Sequence, residues 1–288
     1  MEHEHDDWDR GLAFDMQRMM HRRGALKALA GAGALAFLAA CGKESTSATT
    51  TAGSTASTTA STTAGTTATT AATTAATSGA LECTTVVPEE TAGPYPGDGS
   101  NGPDILADPA VVRSDITGSF GDYTGTATGV ATTISLTVLD SSNGCAPLAS
   151  GAVYLWHADK DGHYSMYTAP DANYLRGVGE ADANGMVTFR TIWPGCYDGR
   201  WPHIHFEVYP SIDDALAAAN TITTSQIALP EAECQTVYAT SGYESSVSNL
   251  GRTSLESDNV FRDGWEQELA TVTGSNDAGW TVSLTITV

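Results

Sequence analysis

The sequence predicts an all-β fold: an antiparallel β-sandwich with few short helices, preceded by a leader and a disordered linker. Three observations carry this. Two long segments, Thr133 to Leu139 and Thr281 to Val288, alternate polar and apolar residues as half-buried strands do. Glycine turn pairs separate shorter apolar segments at Asn143-Gly144, Asp161-Gly162, Asn184-Gly185 and Pro194-Gly195. Helical signals are sparse and fall only on Asp213 to Ala219 and on a turn or two opened by Pro230-Glu231-Ala232-Glu233.

From the N-terminus, residues 1–41 read as an export signal. His21-Arg22-Arg23-Gly24 precedes an apolar run, Ala28 to Ala40, that ends in Leu38-Ala39-Ala40-Cys41. A charged start, a short apolar stretch and small residues at the end are the parts of such a signal. The segment resembles a twin-arginine signal ending in a bacterial lipobox, which makes Cys41 the expected lipidation site. The alternative is a single retained membrane anchor. Residues 42–82 form the linker; Ser45 to Gly79 contain only Thr, Ala, Ser and Gly. Without aromatic or charged residues this tract cannot bury enough surface to fold. It reads as a tether.

Residues 83–288 remain for one domain of comfortable size. Besides the two long alternating segments, strands are expected over 152–157, 186–192 and 203–209. No internal repeat is present. Beyond residue 44 there are 7 Lys+Arg and 27 Asp+Glu, a net charge of 7 − 27 = −20. That surface repels phosphate backbones and argues against nucleic acid and against docking on anionic lipid. No apolar run reaches 18 residues, so a multi-span membrane protein is excluded. If Cys41 carries lipid, then Cys83, Cys145, Cys196 and Cys234 remain, an even number that in an exported domain points to two disulfides with the pairing open. No CxxC pair exists, which disfavours a cysteine metal site.

The chemistry-bearing residues concentrate in Ile192 to Phe206. His203 and His205 lie two apart in a strand-like run, so both imidazoles project from one face and can reach one metal, while Ile204 faces the core. Taken alone, the pair is better explained as two polar residues on an open sheet face; the residues around it change that. Tyr197 lies six residues before His203 with Arg200 between, and a second tyrosine, Tyr164, follows Trp156-His157. Two phenolates with two neutral imidazoles suit a trivalent iron, because the phenolates offset two of its three charges.

Gly151 to Asp159, Gly162-His163-Tyr164-Ser165, Tyr174-Leu175-Arg176-Gly177, Thr191 to Tyr197 and Arg200-Trp201-Pro202-His203-Ile204-His205-Phe206 resemble the intradiol ring-cleavage dioxygenases, the family of the catechol and protocatechuate dioxygenases. The resemblance covers essentially Cys83 to Val288 and implies a β-sandwich holding a non-haem Fe(III) ion inside it. On this resemblance the metal ligands are Tyr164, Tyr197, His203 and His205, with Tyr197 the tyrosine that leaves the iron when substrate chelates. Tyr197 and Arg200 are the catalytic residues, Arg200 facing the substrate ring. Gln226, and Gly93, Pro94 and Tyr95 of Thr91 to Tyr95, are the substrate-binding residues. His157 and His163 are expected to be structural or exposed, Arg176 to fix the sandwich edge, and Trp201 either to line the pocket rim or to pack. Only five residues separate Tyr197 from His203, a shorter loop than intracellular relatives carry, which implies a more open site. Cys196, beside a ligand, implies a disulfide that stiffens this loop.

The implied reaction opens a catechol ring with O2 to a cis,cis-muconate-type diacid. Its partners are a catechol-type substrate and O2. The implied location is the outer face of a bacterial membrane, reached only through the lipid anchor, and the oligomeric state is open. The acidic surface favours neutral catechols over anionic ones. Two alternatives compete: a lipid-anchored β-sandwich binding module without catalysis, and a metallo-hydrolase built on the His pair, which lacks a third ligand at useful spacing.

Overall fold

The computed structural model describes residues 85–288. The expected leader, Cys41, the linker and Cys83 lie outside the described residues. The strands are β1 (Ala131–Asp140), β2 (Ala146–Pro147), β3 (Ala152–Trp156), β4 (Arg176–Glu180), β5 (Met186–Ile192), β6 (His203–Tyr209), β7 (Thr223–Ala228), β8 (Thr271–Ser275) and β9 (Gly279–Thr287). Among the described residues the α-helices are short: Ile212–Leu216, Glu231–Tyr238 and Glu244–Leu250.

The strands form a five-stranded sheet, β2-β1-β9-β8 with β5 also on β1, and a four-stranded sheet, β4-β3-β6-β7. The all-β sandwich is as expected, with one departure. β1 and β9 pair in parallel, Ile134 beside Val282 and Leu136 beside Leu284, whereas the other strand pairs are antiparallel. The alternating segments are strands as expected, but alternation fixes which face is buried and leaves the direction of the neighbour undetermined.

Alternation builds the core. Ile134, Leu136 and Val138 of β1, Val187 and Phe189 of β5, and Val282 and Ile286 of β9 face Val153 and Leu155 of β3, Ile204, Phe206 and Val208 of β6, and Ile227 of β7. Against these, the opposite side of β6 carries His203, His205, Glu207 and Tyr209, and all four are buried too. A second cluster covers that outer face: Ile105, Leu106 and Val111 from the N-terminal segment, Tyr164 and Met166 from the β3–β4 connection, and Ala215. Sequence patterning missed β2, β4, β7, β8 and the helix Glu244–Leu250. β4 (Arg-Gly-Val-Gly-Glu) carries two glycines, and the helix is rich in serine, so local preference is weak in both and tertiary packing decides.

Cys145 is disulfide-bonded. Cys196 and Cys234, however, are free and buried, which corrects the expected second disulfide and the disulfide-stiffened loop. Burial, then Asp258, pushes the Cys196 thiol up to about 12, and burial, then Cys196, pushes Cys234 well above the ordinary thiol range. Both are protonated, apolar-lodged side chains of the main core. The loop is stiffened instead by the helix Glu244–Leu250: the Cys196 amide donates to Ser246 Oγ at 2.9 Å and Asn249 Nδ2 donates to the Cys196 carbonyl at 2.7 Å.

Candidate metal centre

β6 sets the centre. His203 and His205 share its outer face, with Ile204 buried in the core between the sheets on the other side. Hence the site lies on the outer face of the four-stranded sheet beneath the covering loops, and the expectation of a site inside the sandwich is corrected. The reason is that the inner face is filled by the apolar residues that alternate with the histidines.

The loop after β3 delivers Tyr164 and the loop before β6 delivers Tyr197. Gly162, at φ +87°, lets these loops meet, since a Cβ there would lie 2.9 Å from Tyr197 Cβ. Tyr164 Oη lies 3.4 Å from Tyr197 Oη, 3.3 Å from His203 Nε2 and 3.1 Å from His205 Nε2. His203 Nε2 lies 3.2 Å from Tyr197 Oη and 3.1 Å from His205 Nε2. These five distances are five of the six edges of a tetrahedron, and in a regular one of that edge length the corners sit about 1.9–2.1 Å from the centre (edge divided by about 1.63), close to the roughly 2.0–2.2 Å of metal bonds to imidazole and oxygen ligands.

Proton counting gives the same result. His203 Nδ1 donates to the Trp201 carbonyl at 2.5 Å, so its Nε2 presents a lone pair. Five close contacts therefore share at most three protons, two phenolic and one on His205. Burial, then Arg200, holds His203 well below the ordinary histidine range; burial, then His203, does the same to His205. Both imidazoles are neutral and suited to ligation. Burial, then Tyr197, pushes the Tyr164 phenol well above the ordinary tyrosine range, so a phenolate here requires a cation beside it. The donor set fits such a cation. Among the described residues no cluster of three His, Cys, Asp or Glu is placed to hold a metal, so any centre here depends on the phenols.

The surroundings place the remaining expected residues. Arg200 is buried, and its Nη1 lies 3.4 Å from His203 Nε2. Its ion-pair partner is Asp258, Nε to Oδ2 at 3.0 Å, while Asp198, only two residues away in the chain, pairs with Arg252. Gln226 is buried on β7 opposite His205; its Oε1 accepts from Arg200 Nη2 at 2.7 Å and its Nε2 donates to the Thr91 carbonyl at 2.9 Å. Both ends of its amide are thus engaged with protein. Gly93, at φ +71°, brings backbone against His205, with an added Cβ 3.4 Å from Cε1. Tyr95 packs its ring 4.9 Å from that of Tyr164, and the Pro94 carbonyl accepts from Asn101 Nδ2. Segment 91–95 therefore walls the centre. His157 is buried between the Ala158 carbonyl and Thr191 Oγ1, His163 is exposed, and Trp201 is buried with its indole donating to the Leu229 carbonyl; none of them joins the tetrad.

Sequence reasoning missed two features. Trp156 stacks on His205, centroids 4.9 Å apart and planes within 7°, and this ring contact orients an imidazole whose buried Nδ1 finds no partner among the described residues. Register pairs Trp156 with His205 across β3 and β6, but a long-range pairing leaves no local sequence signal. Asp258 is the other; it lies 58 residues from Arg200.

Residues 101–216 match the Dioxygenase family. That stretch contains Tyr164, Tyr197, Arg200, His203 and His205, whereas Thr91 to Tyr95, Gln226 and Asp258 fall outside it. An intradiol ring-cleavage dioxygenase from Tetranychus urticae is similar at 27% identity and TM-score 0.55, over 71% of this chain and 94% of that one. A second dioxygenase crystal structure matches at 27% identity and TM-score 0.55, over 72% and 94%. The dioxygenase domain of a carbohydrate-binding fusion from Streptomyces sp. SirexAA-E is 23% identical with TM-score 0.46, over 71% and 98%. No curated protein matches. The chain is thus similar in fold, and over residues 101–216 in sequence, to dioxygenases that include intradiol ring-cleaving ones.

Proposed function

We propose that this protein is a non-haem Fe(III)-dependent intradiol dioxygenase that cleaves catechol-type aromatic diols with O2 to cis,cis-muconate-type diacids. The observation that carries the proposal is the convergence of two phenol oxygens and two imidazole nitrogens, with five of their six pairs within 3.4 Å, beside a buried arginine. The similarity to dioxygenases supports it. Tyr164, Tyr197, His203 and His205 would hold the ion. Bound there, Fe(III) would supply Lewis acidity, which favours loss of the diol protons and makes the aromatic ring open to attack by O2.

The side chains divide the remaining work. Tyr164, His203 and His205 are buried, while Tyr197 is partly exposed. Tyr197 Oη is accordingly the donor best able to swing away and take a proton from an incoming diol. Burial opposes charge on Arg200, but Tyr197 and Asp258 outweigh it and keep the guanidinium ionised. Its Nη1 then faces the tetrad as a fixed positive group able to stabilise anionic charge on the ring and on the acyl product. Segment 91–95 lies over the centre and limits the ring that enters.

Titrating metal-free protein with ferric iron tests the proposal. The expected result is a visible phenolate-to-iron charge-transfer band saturating at one ion per chain, followed by O2 uptake and a ring-opened diacid when catechol is added. A protein that stays colourless and leaves catechol intact would overturn it.

A further inference from the structure

We propose that Asp258 is the positioning residue for Arg200: with Gln226 it fixes the guanidinium so that only Nη1 faces the tyrosine–histidine tetrad. The inference rests on the metal-centre reading and extends it to a residue outside the dioxygenase match.

The geometry is specific. Asp258 Oδ2 accepts from Arg200 Nε at 3.0 Å and from the Trp201 amide at 2.6 Å. Asp258 Oδ1 accepts from the amides of Val260 at 2.8 Å and Phe261 at 3.3 Å, and from Arg200 Nη2 at 3.4 Å. Backbone amides on both sides therefore hold the carboxylate, which makes it a fixed anchor rather than a mobile counterion. The arginine and aspartate side chains are only 9% and 0% exposed, so the pair is poorly screened by solvent. Gln226 Oε1 takes Nη2 from the other side, and Gln226 Nε2 is itself tied to the Thr91 carbonyl. Nε and Nη2 are thus committed to protein acceptors, and Nη1 is left pointing at His203 Nε2. An arginine fork is rigid and planar, so fixing two nitrogens fixes the third. Without the carboxylate, the nearest anions for this guanidinium would be the ligand phenolates, and it would turn toward them.

Asp258→Asn tests this, with Asp258→Glu as a second variant that keeps a buried carboxylate but shifts it by one methylene. Iron content and the visible band are expected to persist in both. For Asp258→Asn, kcat should fall about 100-fold with KM little changed, the signature of a misplaced group that acts in the transition state. In an Arg200→Ala background, Asp258→Asn should cause no further loss, because it acts only through the arginine. A readout independent of iron is the Arg200 Nε–H resonance of the metal-free protein, assigned by its loss in Arg200→Lys. It should exchange slowly in wild type and rapidly in Asp258→Asn. Wild-type turnover in both variants, or a loss that multiplies with that of Arg200→Ala, or unchanged Nε–H exchange, would overturn the inference. A wild-type protein that binds no iron would sink the proposed function instead, and the exchange measurement would still decide whether Asp258 holds Arg200.

Discussion

Tyr164 and Tyr197 are the same residue type 3.4 Å apart, yet they sit differently: the first is buried and the second is partly open. Burial is what pushes the Tyr164 proton affinity up, and only a neighbouring cation can reverse that. Tyr164→Phe should therefore weaken and shift the visible band of iron-loaded protein, leaving Tyr197 alone to supply it, and lower ring cleavage by at least about 100-fold, on the scale of removing one preorganised polar group from a buried site. Absorbance and O2 uptake check it, and an undiminished band would assign the ligand elsewhere. At this scale the sequence was informative where partners are near in the chain. Tyr197, Arg200, His203 and His205 span nine residues and were legible together. Asp258 was not, because the partner of a buried charge is chosen by the fold and leaves no local pattern.

At the scale of elements, β6 shows why alternation is an incomplete guide. His-Ile-His-Phe-Glu-Val-Tyr reads as one buried and one solvent face, yet every residue of it is buried. The outer face is roofed by residues that precede the first strand, held by Arg176 at the start of β4. Arg176 donates to Ser165 Oγ and carbonyl, to the Pro96 and Tyr95 carbonyls and to Tyr154 Oη, all within 3.1 Å. This agrees with the structural role expected for it and extends that role to the wall of the centre. Lysine cannot reproduce the fork. Arg176→Lys should cost about 3 kcal/mol, as loss of several hydrogen bonds to a buried charged group does, and should expose segment 91–97. Urea unfolding and limited proteolysis measure both; an unchanged midpoint with an uncut segment would mean that the clamp is dispensable.

For the whole molecule, acidity is the governing property, and it reaches the interior at Glu268. This carboxyl is buried; its Oε1 accepts from Ser225 Oγ at 3.2 Å and its Oε2 finds no partner among the described residues. Burial, then the nearby Glu90, pushes it up to about 8. The unfolded chain releases this proton near the ordinary value of about 4.3, so the folded chain binds more protons between about 4.3 and 8. Its contribution is full below about 4.3 and is lost as pH rises through 8. Glu268→Gln should keep the fold and flatten that decline. Denaturant midpoints at pH 5 and pH 9 decide it, and an equal decline in both proteins would show that Glu268 titrates elsewhere.

The sequence by itself determined the β class, five of the strands, the face each long strand buries, and the cluster of tyrosine, arginine and histidine residues. These depend on period-two patterning and short spacing, which are local. Tertiary structure alone decided the parallel pairing of β1 with β9, the placing of the centre on the outer face of the sheet, the free state of Cys196 and Cys234, and the Asp258 anchor. Each of these depends on which distant segments meet. Such meetings follow from the packing of whole sheets and loops, and no single stretch of sequence encodes them.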